Sequence, residues 1–402
     1  MQEVFVARQP IYNRQLEVAG YELLFRHRDV DSADIADANE ATLQVIVNSF
    51  INIGLDNLVG SAPAFINVTE PLLVNDARLP MFHEQTVLEV ARDVVPRPEV
   101  VAGMRRLKAR GFALALDNFV YRPTYRPFLE LADFVKLDVT ALGPDQTARQ
   151  LDALRGHHVQ SVAENVESPE EFRSCQALGF AFYQGYFFCR PQTVRDKTLP
   201  ANKAVVLSLL QKLHDPAQDI GDLEATLAVD VSLSYKLLRY VNSAAFGRRR
   251  EVESLRDAII LVGLNTIRDW AALILLHSIN MGKPRELIKI AMIRARTCEK
   301  LAERNKLAIR PQMFITGLFS VLDAVMDMPM EELLDNLTLT APIKLALLAY
   351  EGPHGALLKQ AVYYEQGRWP DLLAAGADMD LLSDAYLEAL AWADANMNNL
   401  FA

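Results

Sequence analysis

The spacing of hydrophobic positions changes near residue 190, and this change divides the chain into two parts. In the first part, short apolar runs alternate with stretches in which apolar residues recur at helical spacing. Continuous apolar runs are typical of strands buried on both faces, and alternation of strands with helices favours a parallel sheet. The predicted strands are residues 4–11, 20–26, 64–68, 86–91, 112–118, 134–138, 160–165 and 181–187.

The connections between these strands predict a closed barrel. Eight strands with roughly seven connections fit a (β/α)₈ barrel of the TIM type better than an open sheet. Only a short turn around Asn13 separates the first two strands, so we expect this pair to be antiparallel. The predicted helices of this part are residues 40–53, 98–110, 145–155 and 169–178.

The second part of the chain has almost no β-branched runs and has the spacing of successive amphipathic helices. Gly and Pro residues separate these stretches, as at Gly263 and Pro311, where they end or start helices. We therefore predict a barrel over residues 1–192, a linker over 193–199 and an all-helical domain over 200–402. The predicted helices are residues 202–213, 223–229, 233–242, 255–262, 266–277, 286–305, 311–326 and 378–398.

Seven of the predicted barrel strands carry one polar residue each at a similar depth. In parallel barrels the functional groups lie at the carboxyl ends of the strands. Buried charges cost roughly several kcal/mol each unless they pair or bind a cation. Carboxylate and amide oxygens suit Mg²⁺ or Mn²⁺, and a lysine beside them can neutralise a phosphate. The pattern predicts binding, or metal-assisted hydrolysis, of a phosphate ester. The residues are Glu22, Asn67, Glu89, Asp117, Lys136, Glu164 and Gln184.

At these positions the chain resembles the EAL domain of cyclic di-GMP phosphodiesterases. The resemblance spans about residues 3–192 and is specific because the motifs occur in order on seven strands. Leu23 stands where the family has alanine in its signature segment. The matching segments are GYELLFR at 20–26, FINV at 65–68, LEV at 88–90, DNF at 117–119, VKLD at 135–138, AENVE at 163–167 and QGY at 184–186.

The resemblance implies a role for each polar residue. Lys136, Glu164 and Gln184 would serve the attacking water if the domain is active. Mg²⁺ or Mn²⁺ is the implied cofactor, with one metal site expected rather than two. The implied metal ligands are Glu22, Asn67, Glu89 and Asp117, and the implied ligand-binding residues are Arg26, Asp138 and Glu167.

Three departures from the family pattern concern the second metal and the loop beside it. Asn118 replaces the second aspartate of the family's DDFG motif, and Arg92 replaces the last glutamate of its ELTE motif. The glycine-containing loop is replaced by the segment VYRP at 120–123, which is stiffer because proline fixes φ. An amide cannot lower the pKa of a shared water as a carboxylate does. The departures therefore predict that ligands for one metal remain while catalysis is weak or lost.

The helical part resembles the HDOD domain, a relative of HD-type metal hydrolases that lacks the metal site. The segments that carry this resemblance are residues 227–247 and 255–265. Only His214, His277 and His354 occur beyond residue 200, so the histidines and aspartates of an HD metal site cannot be assembled. The resemblance implies a domain that contacts another protein.

Charge and composition exclude several classes of protein. The formal net charge is −10 and the pI about 5.3, which argues against direct nucleic-acid binding through the phosphate backbone. The three cysteines have no CxxC spacing, so we expect neither a disulfide scaffold nor a structural zinc site. No apolar stretch approaches the roughly 20 residues of a membrane helix. We expect a cytoplasmic protein without membrane association, and we expect the chain to form a homodimer.

Four hypotheses remain open at this point. The leading one is a signalling module with a degenerate EAL domain, inactive or barely active, that acts through nucleotide, metal or protein binding. The second is an active Mg²⁺- or Mn²⁺-dependent cyclic di-GMP phosphodiesterase. The third lies between these two and is binding of the nucleotide without hydrolysis, which Arg26 favours. As a structural alternative, the polar residues are a relic network whose charges satisfy one another. A phosphohydrolase in the helical part is the fourth and the weakest of them.

Overall fold

The computed structural model describes residues 4–27, 54–75, 84–189, 201–213, 219–242, 252, 254–280 and 283–401. The predicted helix at 40–53 and the predicted linker at 193–199 lie outside these residues. The chain forms two compact units. One unit comprises the residues up to Phe187 together with Tyr364–Leu373, and the other comprises Phe188–Tyr363 with the residues from Ala374 onward.

The first unit is built on a closed barrel of eight strands in sequential order, which confirms the predicted (β/α)₈ architecture. Strands β2 to β8 pair in parallel with their neighbours. All eight strands fall within the predicted apolar runs or extend them by a few residues. They are β1 Val4–Tyr12, β2 Val18–His27, β3 Ala64–Val68, β4 Thr86–Val90, β5 Ala113–Leu116, β6 Phe134–Asp138, β7 Gln160–Glu164 and β8 Phe182–Gln184.

The first strand is antiparallel to both of its neighbours in the barrel. Strand β1 is antiparallel to β2, as the missing helix between them predicts, and closure of the barrel also makes it antiparallel to β8. Asn13 shapes the turn after β1, because its Oδ1 accepts hydrogen bonds from the backbone N–H groups of Gln15 and Glu17, both at 2.9 Å. Local hydrogen bonds of this kind are why asparagine is favoured in tight turns.

Helices follow most of the barrel strands. Helix α6 (Pro169–Leu178) begins with a capping box in which Ser168 and Glu171 bond each other's backbone N–H groups, and it ends at Gly179 in the left-handed conformation. These end signals explain why the sequence predicts its bounds correctly. Helix α5 begins earlier than predicted and is kinked at Gly143-Pro144. The described helices are α1 Leu55–Val59, α2 Glu70–Val74, α3 Pro98–Ala109, α4 Arg126–Leu129, α5 Val139–Ala153 and α6 Pro169–Leu178.

The chain beyond residue 200 is helical throughout its described length, as predicted. Its most extensive packing involves α12, which lies against α13 and α19. Its helices are α7 Ala201–Leu213, α8 Ile220–Ala228, α9 Val231–Val241, α10 Leu255–Val262, α11 Leu264–Ser278, α12 Arg285–Arg304, α13 Arg310–Phe319, α14 Leu322–Met326, α15 Met330–Asp335, α16 Ala341–Ala349, α17 Gly352–Glu365, α18 Trp369–Ala374 and α19 Met379–Phe401.

The prediction of one continuous helix over residues 311–326 is wrong. The structure has two helices there, separated at Val321, whose φ of −118° is outside the helical range. The four helices between residues 330 and 374 are absent from the predicted set. Three of them have fewer than ten residues, too short for helical periodicity to identify them.

Among the described helices, none is by itself long and apolar enough to cross a membrane, although α10 and α11, bent by 118° at their junction, pass that test of length and composition together.

Candidate functional site

The candidate site is a layer of polar side chains inside the barrel, directly above an apolar layer. Alternate residues of a strand point to the same face. Phe65 and Val87 belong to the apolar layer, and Asn67 and Glu89 follow them two residues later on the same strands. The register pairs Asn67 with Glu89 across β3 and β4, so the two polar residues lie at one height. The same spacing places Asp117, Lys136, Glu164 and Gln184 above Ala115, Phe134, Val162 and Phe182.

Lys136 is the centre of this layer. Its Nζ lies 2.8 Å from Glu22 Oε2, 2.6 Å from Glu89 Oε1 and 2.8 Å from Glu164 Oε1. Asp117 Oδ1 is farther away, at 3.6 Å. The side chains of Lys136 and Glu89 are fully buried. One buried ammonium group therefore faces four carboxylates, of which Glu89 is fully buried and Asp117, with 20% of its side chain exposed, is the most accessible.

Two amides complete the hydrogen bonds of Glu22. Asn67 Nδ2 donates to Glu22 Oε1 at 3.2 Å, and Gln184 Nε2 donates to Glu22 Oε2 at 2.6 Å. Gln184 Nε2 also donates to Gln9 Oε1 on β1 at 2.9 Å. Since both amides donate through nitrogen, the oxygens of Asn67 and Gln184 are left to accept from, or coordinate, another group.

Burial and mutual repulsion raise the pKa of three of the four carboxylates around Lys136. Burial, together with the charges of Glu22 and Asp117, raises the pKa of Glu89 well above its ordinary value. Burial and the neighbouring carboxylates also raise the pKa of Asp117, and they raise that of Glu164 to about 8. Without a further cation, Glu164 therefore holds a proton over part of the neutral pH range.

Glu22 and Lys136 form the ionised pair within the layer. Although burial acts in the opposite direction, the charge of Lys136 and the hydrogen bonds it receives lower the pKa of Glu22. Burial likewise opposes ionisation of Lys136, but the surrounding carboxylates hold its pKa well above the ordinary value. Lys136 is therefore always charged, and it neutralises only part of the negative charge around it.

The residues present fit a hard divalent cation. Three buried oxygens of the layer, Glu89 Oε2, Glu164 Oε2 and Gln184 Oε1, have no hydrogen-bond partner in the described part of the chain. Such oxygens are rare in folded proteins and are the ligand type of Mg²⁺ or Mn²⁺. As the side chains stand, they converge on Lys136, and the described residues contain no group of three His, Cys, Asp or Glu side chains arranged around a common metal position.

The three residues predicted to contact a ligand lie at the rim of the barrel. Arg26 is half-buried and lies four residues after Glu22 on β2, hence on the same face. Asp138 caps α5, because its Oδ1 accepts from the Ala141 N–H at 2.8 Å and its Oδ2 from Asn165 Nδ2 at 3.0 Å. Glu167 is exposed after β7. Their contact with a nucleotide stays a prediction.

The departures from the family pattern meet at one corner of the barrel mouth. Arg92, Asp117 and Arg122 line a cavity of about 80 Å³ together with the replaced loop. Asn118 directly follows Asp117 and has a φ of 48°, a left-handed conformation that asparagine, aspartate and glycine tolerate. Two exposed arginines, Arg92 and Arg122, therefore lie around the place where the family has acidic side chains and a glycine.

One residue of the layer is not among the sequence-predicted set. Gln9 on β1 bonds Gln184, yet it is absent from that set because β1 runs in the opposite direction and its carboxyl end lies away from the mouth. The sequence feature that could have indicated Gln9 is its position as a polar residue within the apolar run of the first strand. In contrast, the structure brings Glu22, Asn67, Glu89, Asp117, Lys136, Glu164 and Gln184 together.

Comparison with known proteins agrees with this architecture. The EAL domain family matches residues 33–191, and the HDOD domain family matches residues 199–337. Cyclic di-GMP phosphodiesterase CdgJ of Vibrio cholerae is 33% identical over 403 residues, which cover 98% of this chain and 93% of that protein. YuxH of Bacillus subtilis is 31% identical over 401 residues, covering 97% and 98% of the two chains.

Among solved structures, BlrP1 of Klebsiella pneumoniae with calcium and cyclic di-GMP is similar to this chain. Its identity is 21% and its TM-score 0.40, over 47% of this chain and 56% of that chain. This likeness is too distant to assign a ligand. An eight-stranded barrel with a polar layer, followed by a helical region, is the architecture of a two-domain EAL and HDOD protein. The full-length similarity to CdgJ establishes that the chain belongs to the EAL–HDOD family.

Proposed function

We propose that the barrel binds cyclic di-GMP together with one divalent cation, and that it hydrolyses the nucleotide slowly or not at all. The observation that carries this proposal is the polar layer, in which four carboxylates surround a single buried ammonium group. The full-length relative CdgJ is named a cyclic di-GMP phosphodiesterase, which supports this nucleotide as the ligand.

Glu22, Asn67, Glu89 and Asp117 would hold the cation at the mouth of the barrel. A bound Mg²⁺ or Mn²⁺ would polarise a phosphate oxygen and lower the pKa of a water. The buried oxygen Glu89 Oε2, which has no partner within the described residues, supports this assignment, because a cation would satisfy it. One cation suits the layer better than two, since Asn118 offers only one neutral oxygen.

Three residues of this chain can orient a water and move its proton. Glu164 has a pKa of about 8, close to neutral pH, so its carboxylate can accept a proton at the unpartnered Oε2 and release it again. Lys136 keeps its charge and holds Glu164 in place at 2.8 Å. Gln184 is fixed through its nitrogen by Glu22 and Gln9, and its Oε1 has no partner within the described residues. Arg26 at the rim would contact a phosphate.

The corner formed by Arg92, Asn118 and Arg122 supports the slow rate in this proposal. A second metal needs acidic ligands there, whereas Arg92 and Arg122 bring positive charge. Guanidinium groups bind phosphate well but do not generate a hydroxide. The corner therefore favours retention of the nucleotide over its cleavage.

An active phosphodiesterase is the second candidate. It is favoured by one observation, namely that Lys136, Glu164 and Gln184 are all retained around Glu22 at hydrogen-bonding distances. We also propose that the HDOD domain contacts another protein, that the chain acts in the cytoplasm without a membrane, and that it forms a homodimer.

Calorimetric titration of the full chain with cyclic di-GMP and Ca²⁺ tests binding. Mg²⁺ and Mn²⁺ assays on the same sample then test hydrolysis. Binding without turnover supports a receptor, and binding with fast turnover supports the second candidate. Glu22→Ala should abolish any genuine turnover, so turnover that persists in this variant comes from a contaminant. Failure to bind in every cation would overturn both functions.

A further inference from the structure

A short segment from late in the chain lies at the mouth of the barrel. Residues Tyr364–Leu373 belong to the barrel unit, although the chain before and after them belongs to the other unit. The segment contains the end of α17, a turn at Gly367 and most of α18. It contacts β2 and the residues that directly follow β8.

On β2 the segment packs against Leu24. Leu24 follows Glu22 by two residues toward the carboxyl end of the strand, so the two side chains share one face and Leu24 is nearer the mouth. A Cβ atom at Gly367 would lie 2.8 Å from Leu24 Cδ1 and 3.4 Å from Leu24 Cβ. The first distance is shorter than a carbon–carbon contact of roughly 3.5–4.0 Å. Only glycine therefore fits between the turn and Leu24 without a shift of one of them.

Past the end of β8 the segment is held by Tyr186. This residue follows Gln184 by two positions, and its hydroxyl donates to the Glu365 carbonyl at 3.3 Å. Strands β2 and β8 are the two neighbours of β1 in the barrel. The segment therefore lies along the side of the mouth formed by β8, β1 and β2, whereas the corner of Arg92 follows β4 and β5 on the opposite side of the closed ring.

Buried side chains and local hydrogen bonds fix the conformation of this segment. Tyr364, Trp369 and Leu372 are buried, and the rings of the first two meet edge to face with centroids 5.0 Å apart. The Gly367 N–H donates to the Tyr364 carbonyl at 3.0 Å, and the Trp369 N–H donates to the Gly367 carbonyl at 2.9 Å. The contact of the turn with Leu24 is therefore a packed part of the barrel unit.

The space left at the mouth is small for a cyclic dinucleotide. The corner cavity beside Asp117 has a volume of about 80 Å³, whereas pockets for drug-sized ligands have roughly 300–1,000 Å³. A nucleotide whose phosphate reaches the polar layer must extend over the mouth, and on the side of β2 it meets Leu24, against which Gly367 is already packed. The segment and the nucleotide therefore compete for the same side of the mouth.

We propose that the segment Tyr364–Leu373 is autoinhibitory, in that it limits access of the nucleotide to the barrel until it is displaced from Leu24. This inference rests on the proposed function of the barrel, because it names the regulation of that same site. Helix α17 continues from the segment into the other unit, so a change in the helical part can reach the mouth through this helix.

Gly367→Val in the full chain tests the proposal, because its side chain has no room beside Leu24 and must push the turn away. Gly376→Val is the matched control. Gly376 has a φ of 67°, against 65° at Gly367, so valine is equally strained at both positions, but a Cβ atom at Gly376 meets no other atom within 4 Å. In calorimetric titration with cyclic di-GMP and Ca²⁺, we expect Gly367→Val to bind roughly fivefold or more tightly than the parent and than Gly376→Val.

Tyr186→Phe is a second variant, and it serves if Gly367→Val does not fold. It removes the hydrogen bond to the Glu365 carbonyl and leaves the turn unchanged, so we expect a smaller gain in affinity, of roughly twofold. The inference is overturned if neither Gly367→Val nor Tyr186→Phe binds more tightly than Gly376→Val. In that case binding by the parent still supports the proposed function, whereas absence of binding in the parent and in all variants overturns both.

Discussion

Lys136 Nζ lies 2.6 Å from Glu89 Oε1, and neither side chain is exposed to solvent. Removal of the ammonium group leaves four carboxylates in a buried layer with no compensating charge. Loss of one partner of a buried ion pair destabilises by about 3–5 kcal/mol. We therefore expect Lys136→Met to lower the free energy of unfolding of the barrel by an amount in this range, measured by hydrogen exchange of the barrel strands in denaturant.

A surface pair provides the matched control for that substitution. Lys108 Nζ lies 2.7 Å from Asp133 Oδ1, with about a third of each side chain exposed. Exposed pairs contribute about 0–1 kcal/mol, so Lys108→Met should change the stability little. Equal losses in the free energy of unfolding of Lys136→Met and Lys108→Met would show that the polar layer is solvated and not buried.

The central position of Lys136 also shows what the sequence can and cannot predict. Lys136, Glu89 and Asn67 are each predicted as inward-facing because strand residues alternate between two faces. Which carboxylates contact the ammonium group depends on strand stagger around the closed barrel, and no local pattern encodes that. The contact of Gln184 with Gln9 was missed for the same reason, since it joins the last strand to the first.

The helical part illustrates a second limit. Helix α10 spans Leu255–Val262, the range that the sequence predicts, because Ser254 caps its start and Gly263 ends it. In contrast, the chain leaves the helical conformation at Val321, and neither glycine nor proline marks that position in the sequence.

Arg92 should contribute to nucleotide affinity. It lines the corner cavity with Asp117 and Arg122, and a charge-assisted hydrogen bond to phosphate is worth about 1.5–3 kcal/mol. We expect Arg92→Ala to weaken cyclic di-GMP binding by about 10- to 100-fold in calorimetric titration. Arg126→Ala is the control, because Arg126 lies on the nearby α4 but pairs with Glu130 at 3.2 Å on the surface. Equal losses in both variants would indicate nonspecific attraction.

His277 should make the helical part less stable in mild acid. Burial, with the charges of Lys236 and Arg285, lowers its pKa from 6.5 to about 4. As the pH falls from about 6.5 to 4, the unfolded chain takes up a proton that the folded chain does not, so the free energy of unfolding decreases in this window. Above pH 6.5 both states are neutral and the contribution vanishes.

His277→Gln tests this relationship. The variant should lose less stability than the parent between pH 6.5 and 4, measured by denaturant titration with the fluorescence of Trp270 and Trp392. A comparison at pH 7.5 isolates packing changes, because His277 is neutral there in both states. Identical slopes in the acid window would show that His277 titrates normally in the folded chain.

Asn118 offers the most direct test of why catalysis is weak. It has a φ of 48°, and aspartate accepts this conformation as readily as asparagine, so Asn118→Asp should add a carboxylate without moving the backbone. If the missing acidic ligand limits the reaction, this variant should hydrolyse cyclic di-GMP at least tenfold faster with Mn²⁺, and Arg92→Glu should increase the rate further in the same chain.

Asn165→Asp is the matched control for Asn118→Asp. Asn165 also follows a barrel strand and has a φ of 56°, so the substitution adds the same charge at the same mouth but away from the corner of Arg92. It also removes the amide that donates to Asp138 Oδ2 at 3.0 Å, so the melting temperature of the variant is measured beside its rate. We expect no gain in hydrolysis from it. Faster hydrolysis in both variants would mean that the reaction is limited by too little negative charge at the mouth and not by a missing metal ligand. An unchanged rate in Asn118→Asp would show that the stiff loop or Arg92 is the controlling defect, because the backbone and the ligand set are then both in place.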